Sequence, residues 1–303
     1  MFVIFGAGGN VGKVSAAALR RAGREVRAVV HRASQAGPLA EMGCEVVVAD
    51  LHDRAAVSRA IDGAHAVQLL CPLPRAHDDP EAAMRDMIDV SADALRAKPP
   101  RHVLALSDYG AEHASGTGIT TLFHYLETRL NALDTSLTFL RAAEHMHNWA
   151  RVLPLALSKG VLPSLHHPLE KRFPTVAAQD VGALCAELLL DGNLGDASSG
   201  DIQPRRSPRV VSMESERRIS AIDVARTISE LARRPVAAQI VPREQWPAML
   251  EGAGLGERHA RLIMDLYDAH NAGRIDVRAG AGERRFGPTT LAQALAASVP
   301  HSS

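Results

Sequence analysis

Along the first half of the chain, short apolar runs alternate with longer stretches in which apolar positions return every three or four residues. The runs at 2–5, 25–30, 45–49, 66–70, 102–106 and 137–141 are continuous and rich in Val, Ile and Leu. Strands covered on both faces have this character. The stretches between them predict helices that begin near Asn10, Ser34, Asp53, Pro80 and Ile119. Such alternation implies an α/β fold, a doubly wound parallel sheet with helices on both faces.

The second half is less regular. It predicts a helix over 180–190, a polar loop "GDASSGDIQPRRSPR" at 195–209, a strand over 210–213 and a helix over 221–233. A helix-rich stretch over 244–272 and a last helix over 289–297 follow. No composition break, long linker or internal repeat separates the halves. We expect residues 1–150 to form the doubly wound domain and 151–303 a small C-terminal α+β lobe whose elements pack back on it.

Composition narrows the class. Lys+Arg and Asp+Glu are both 34, so no net field draws the chain to nucleic acid or an anionic membrane, and a small-molecule partner is expected. The arginine pairs, such as Arg205-Arg206, read as solvated surface. No apolar run approaches the roughly 20 residues of a membrane span. The first strand starts directly after Met1, which leaves no room for a secretory leader and predicts a cytoplasmic protein. Three cysteines, Cys44, Cys71 and Cys185, show neither a disulfide framework nor CxxC spacing.

The chemistry begins at "MFVIFGAGGNVGKVSAAALRRAG". Gly6, Gly9 and Gly12 follow a strand and open a helix, the context in which a glycine pattern acquires meaning. Gly6 serves the tight exit from the strand, Gly9 lets backbone approach a pyrophosphate, and Gly12 permits close helix–strand packing. Amides around Asn10 and Val11, at the helix N-terminus, then face the negative charge. An acid that would accept from the ribose 2′-hydroxyl of NAD is missing about 20 residues on. That place holds Val30, His31 and Arg32, and a guanidinium suits a 2′-phosphate. NADP(H) is therefore expected over NAD(H).

The segments "GAGGNVGKVSAAALRRAG", "VRAVVHR", "VVVADLHD", "AVQLLCP", "HVLALS" and "ETRLNALDTSLTFLRAAEHMHNW" together resemble the NmrA-like group of atypical short-chain dehydrogenases/reductases. The similarity extends through "FPTVAAQDVGALCAELL" and "SMESERRISAIDVARTISELA". It implies a Rossmann domain binding NAD(P), a small C-terminal lobe, and either reduction of quinones and other electrophiles or redox sensing through a protein partner. The family's arginine in "VRALVR" aligns with His31, and Arg32 comes one residue later. Asp50 and Leu51, in "ADL", carry over as contacts to the adenine edge.

Parallel sheets bind ligands beyond the carboxyl ends of their strands. The nicotinamide is accordingly expected near Leu70, Cys71, Pro72 and Leu73, near Ser107, Asp108 and Tyr109, and near 141–144. Ser107 and Tyr109 are the candidate catalytic contacts. The superfamily's Tyr-x-x-x-Lys pair is missing, because alignment on "ETRL" puts Ile119 and Phe123 in those positions, within an apolar stripe. Tyr125 with Arg129, four residues apart, is the rival proton-donor pair. His145, His147 and Asn148 are expected to edge the substrate cleft, and "HASGTG" at 113–118 reads as a mobile lid. The fourteen histidines include no HExxH or other tight ligand set, so no metal is expected. The expected function is reduction of a quinone-like or other small electrophile by NAD(P)H, the alternative a non-catalytic NADPH/NADP sensor.

Overall fold

The computed structural model describes residues 1–75, 77–191, 207–277, 280 and 282–299. Its strands are β1 (Phe2–Phe5), β2 (Val26–Val30), β3 (Glu45–Val48), β4 (Ala66–Leu69), β5 (His102–Asp108), β6 (Ser136–Ala142), β7 (Glu144–His145), β8 (Val161–Ser164), β9 (Thr175–Val176), β10 (Arg209–Ser215), β11 (Ala237–Ile240) and β12 (Glu283–Gly287). Its helices are α1 (Asn10–Arg21), α2 (Ala36–Glu41), α3 (Arg54–Ala60), α4 (Pro80–Ala97), α5 (Thr120–Leu130), α6 (Leu153–Lys159), α7 (Ala178–Asp191), α8 (Ala221–Ala232), α9 (Trp246–Gly252), α10 (Glu257–Asn271) and α11 (Leu291–Leu295).

Eight strands form one sheet in the order β12-β10-β6-β5-β4-β1-β2-β3. Every pair in it is parallel. The order reverses between β1 and β4, which opens a crevice at the carboxyl ends of these strands. One face buries Ile4, Leu19, Leu39 and Leu184 under α1, α2 and α7. The other buries Val67, Ile88, Leu126 and Phe139 under α3, α4 and α5. This is the Rossmann arrangement expected from the alternating pattern.

Local sequence explains where the first-half helices start. Asp53 and Asp79 each accept a backbone N–H from the first turn of α3 and α4, at 2.9 and 3.0 Å. Packing of α1 on α7 is close enough to need two small residues. The Ser15 hydroxyl donates to the Gly182 carbonyl at 3.1 Å, and a Cβ on Gly182 would lie 2.6 Å from the Val11 carbonyl oxygen.

The second half contributes in two ways. β10 and β12 return to the sheet and extend it beyond β6. The remainder builds two further cores, one around Trp149, Phe173, Val224 and Leu295, the other around Trp246, Leu250 and Ala260. The stretch 244–272 divides into α9 and α10 at 253–256. β8, β11 and β12 lie where no strand was expected. β12 reads Glu-Arg-Arg-Phe-Gly and is an edge strand with alternating half-buried and exposed positions. Most of the polar loop at 195–209, with Arg205-Arg206, lies outside the described residues. No helix of the described residues is long and apolar enough to cross a membrane.

Candidate functional site

The crevice begins at the glycine loop. Gly6 has φ +70°, a left-handed conformation that favours glycine, and its carbonyl accepts the Gly9 N–H at 2.9 Å. A Cβ on Gly12 would lie 2.3 Å from that same Gly6 carbonyl oxygen, so helix and strand approach only if the residue is glycine. Gly9 caps α1 with extended backbone and no side-chain hydrogen bond. The amides of Asn10, Val11 and Gly12 thus stand as the unpaired donors of a helix N-terminus. Gly9 and Asn10 are exposed, while the Val11 side chain is buried and leaves its amide to act. This cradle fits a pyrophosphate.

One loop residue carried no role in the sequence reading. A Cβ on Gly8 would lie 2.6 Å from the Gln35 side-chain nitrogen. Gln35 covers the loop from the turn after β2, and its amide oxygen accepts the Arg32 N–H at 3.3 Å. His31 and Arg32 are exposed beside it, and among the described residues the Arg32 guanidinium has no ion pair. Asp50 is exposed and uses one oxygen to accept the His52 N–H at 2.9 Å, while Leu51 is half-buried. Leu70 packs on the loop, 3.0 Å from the position of a Gly6 Cβ. Pro72 is exposed. Cys71 is a core residue. Its thiol is sealed in the core with Met84 and Ile88, and burial pushes it up to about 12. Main-chain atoms are what this residue can offer to a cofactor.

Further along the crevice, Ser107 and Tyr109 depart from the sequence reading. Ser107 Oγ donates to Glu127 Oε1 at 2.6 Å. Glu127 is in turn gripped by Arg141 through Nε at 2.9 Å and Nη2 at 2.7 Å, and Arg141 Nη1 reaches Glu112 at 2.8 Å. The serine proton is therefore already committed. Tyr109 turns into the core beside Ile275, with 2% of its surface exposed. Burial, and then Glu214, push its phenol well up. A cavity of about 10 Å³ adjoins it, lined by Glu112, Arg141, Ser212 and Asp276. That is room for one water, not for a substrate.

The rival pair occupies the outer seam of α4 and α5. Tyr125 Oη donates to Asp89 Oδ1 at 2.7 Å, Arg129 Nε to the same oxygen at 2.6 Å, and Arg85 lies 4.5 Å over the Tyr125 ring. Leu122, Leu126, Leu130 and Leu133 are core, as the apolar stripe implied. The 113–118 segment, the candidate lid, touches the C-terminal half of the chain. Arg274 donates to the Gly116 and Ser115 carbonyls at 2.8 and 3.2 Å, and a Cβ on Gly118 would lie 2.1 Å from the Leu262 carbonyl oxygen.

Beyond β6 the character changes. His145 and His147 lie with ring centroids 5.1 Å apart, because one ends β7 and the other is in the 3-10 turn Met146–Val152. Helical spacing would have pointed them apart. Burial holds both below the ordinary histidine range, His145 at about 4. Asn148 is half-buried beside them. Glu144 accepts from His166 Nε2 at 2.8 Å, and the His166 ring stacks on Phe173 at 3.7 Å. Burial opposes the Glu144 charge, but His166, His270 and His145 override it and hold the carboxyl low. Four buried polar atoms here have no protein partner: His145 Nδ1, His147 Nδ1, Trp149 Nε1 and Thr175 Oγ1. Thr175 pairs with Glu144 across β7 and β9. Asp108, at the end of β5, also faces this group, and burial raises it to about 7. Among the described residues no cluster of three or more His, Cys, Asp or Glu is arranged for a metal.

A glycine cradle at β1 and a crevice at the reversal of strand order, with a buried polar cluster beyond β6, define a dinucleotide-binding Rossmann protein. The NAD(P)H-binding family model matches residues 6–192, and the chain belongs to that family. The NAD(P)H azoreductase of Xenophilus azovorans is 22% identical over 268 residues, covering 88% of this chain and 86% of the relative. The NADPH complex of the Escherichia coli quinone oxidoreductase QOR2 superposes with a TM-score of 0.77, at 19% identity, covering 98% of this chain and 99% of that one. Triphenylmethane reductase from Citrobacter sp. in complex with NADP(H) gives 0.76, at 17% identity and the same coverage. These likenesses establish a shared fold.

Proposed function

We propose that the protein is a cytoplasmic NADPH-dependent reductase of quinone-like or related small conjugated electrophiles. In this reading residues 1–150 hold the cofactor and 151–303 complete the substrate pocket. The observation that carries it is the set of unpartnered buried polar atoms at His145, His147, Trp149 and Thr175. Unpaired buried polar groups are costly, and a polar acceptor bound beyond β6 would satisfy these four. A flat acceptor entering there would meet hydrogen-bonding groups on an aromatic floor of Trp149, His166 and Phe173. The relatives' names, which speak of azo compounds, quinones and triphenylmethane dyes, point the same way.

The amides of Asn10, Val11 and Gly12 would hold the pyrophosphate, Asp50 and Leu51 the adenine edge, and Arg32 with His31 the 2′-phosphate. When bound, the reduced nicotinamide supplies a hydride. His145, His147 and Asn148 orient the acceptor, and the buried surroundings exclude water. Hydride transfer needs chiefly close, oriented approach of the acceptor, so a missing Tyr-Lys pair is tolerable where solvent or another residue of the cleft supplies the proton. The three buried thiols suit a reducing compartment.

The test follows nicotinamide absorbance when purified protein meets NADPH and a panel of quinones, azo compounds and cationic triarylmethane dyes. Acceptor-dependent oxidation is expected, and it should vanish in Gly9→Trp, where a side chain fills the cradle. Tight NADPH binding without any acceptor-dependent oxidation, joined to capture of different partners in the two redox states, would replace this reading with the sensor. Arg32→Ala should weaken NADPH about tenfold, on the order of 1.4 kcal/mol, and leave NADH unchanged. Equal weakening of both cofactors in titration would remove Arg32 from the 2′-phosphate.

A further inference from the structure

We propose that Asp108 is the proton donor of this reductase, an inference that rests on the reductase reading above. Asp108 is the last residue of β5 and is in register with Ala142, the last residue of β6, so it stands at the carboxyl edge of the sheet, beside the strand that leads into β7. Its side chain is half-buried. The Thr120 hydroxyl donates to its Oδ2 at 3.3 Å, a long contact. Among the described residues no Lys, Arg or His forms an ion pair with it. The Tyr109 backbone N–H also faces it, and so does Glu144 from β7, whose charge opposes a second carboxylate nearby. Removal from water, with Glu144 adding to it, raises the carboxyl to about 7 against the Thr120 and Tyr109 contacts, so a substantial share of it carries a proton at neutral pH.

The neighbouring candidates are each committed elsewhere. The Ser107 hydroxyl donates its hydrogen bond to Glu127, Tyr109 is sealed in the core, and the Tyr125 hydroxyl donates to Asp89 on the outer seam. Burial drives Tyr267 far above its ordinary value and holds His145 and His147 below theirs, which disfavours the imidazolium form that would act as an acid. Asp108 alone among these combines position with a transferable proton.

The balance is simple. Reduction of a quinone to a hydroquinone adds a hydride, which carries both electrons, and one proton, and NADPH becomes NADP+. The Asp108 O–H bond breaks as the proton passes to a carbonyl oxygen, and the carboxylate regains a proton from water. A triarylmethane dye cation takes the hydride alone and needs no proton.

That difference supplies the test. Asp108→Asn should slow quinone reduction about 100-fold or more, while reduction of the dye cation stays within about threefold under the same general-acid reasoning. Wild-type quinone reduction should decline as pH rises through about 7, and the dye reaction should not. Infrared titration of the cofactor-free protein should find a protonated carboxyl that ionises near the same pH and is missing from Asp108→Asn. Equal slowing with both acceptors, unchanged quinone reduction, or a carboxyl spectrum identical in the two proteins overturns the donor role and leaves the reductase standing. If the wild type oxidises NADPH with neither acceptor, the reductase reading falls, and the donor role falls with it.

Discussion

Two polar clusters sit one residue apart at the carboxyl ends of β5 and β6, and they are built on opposite principles. In the first, Ser107, Glu127, Arg141 and Glu112 form a closed network of short hydrogen bonds in which the acids share one guanidinium. In the second, Asp108 has one long side-chain contact, and His145 and His147 each keep a buried nitrogen without a partner. Buried charge that is fully paired fixes the register of strands and helix, and it has nothing left to offer a ligand. Buried polarity left open is costly to the free protein and is recovered when a ligand arrives. Ser107 is thereby spent on the scaffold, whereas Asp108, His145 and His147 keep hydrogen-bonding capacity.

The largest loss is expected at Arg141. Arg141→Met leaves Glu127 buried without its cation and should cost about 3–5 kcal/mol of stability. Urea unfolding measures it, and a loss below about 1 kcal/mol would place the network among solvated surface pairs. NADPH affinity of the folded variant should stay unchanged, because Arg141 belongs to the closed cluster.

Acid acts on the open cluster and on the buried histidines. Burial holds His102, His145 and His270 at about 4 in the folded protein, against an ordinary 6.5. Their neutral forms stabilise the fold fully above 6.5, and that stability is lost as pH falls from 6.5 through about 4, on the order of 3 kcal/mol per residue. Asp108 has the opposite sign. Its value is raised from 3.8 to about 7, so its contribution is present below 3.8 and is lost as pH rises through about 7. Thermal unfolding of His145→Gln should show less acid sensitivity than wild type between pH 6.5 and 4. An unchanged pH slope would mean that His145 is solvated.

The smallest effect is expected at the α4–α5 seam. Tyr125→Phe removes a hydrogen bond to Asp89 and should cost about 1 kcal/mol. The rate of acceptor reduction should remain within about twofold of wild type, since general-acid loss would be of order 100-fold. A fall of that larger size with NADPH binding intact would return Tyr125 to the chemistry and displace Asp108.

Strands β1 to β6 and the starts of α1, α3 and α4 were readable because their causes are local: continuous Val and Ile runs, Asp caps, a proline at the first turn. The glycine loop was readable for the same reason, since Gly6 needs its φ and Gly12 its space whatever lies elsewhere. Gly8 was not, because what crowds it is the Gln35 side chain, 27 positions along the chain. β12 carries two arginines and a glutamate in five residues, and pairing with β10 alone makes it a strand. Ser107 and Asp108 are adjacent polar residues that no local pattern distinguishes. Their opposite fates depend on Glu127 and Arg141 closing around one, and on Glu144 and Thr120 facing the other. The sequence by itself determined a parallel Rossmann sheet and the cradle for a dinucleotide, since both follow from periodicity and backbone freedom within a few residues. Tertiary structure decided which polar groups are spent on the scaffold and which stay open beyond β6, because pairing, burial and the resulting protonation arise between side chains that the chain brings together only on folding.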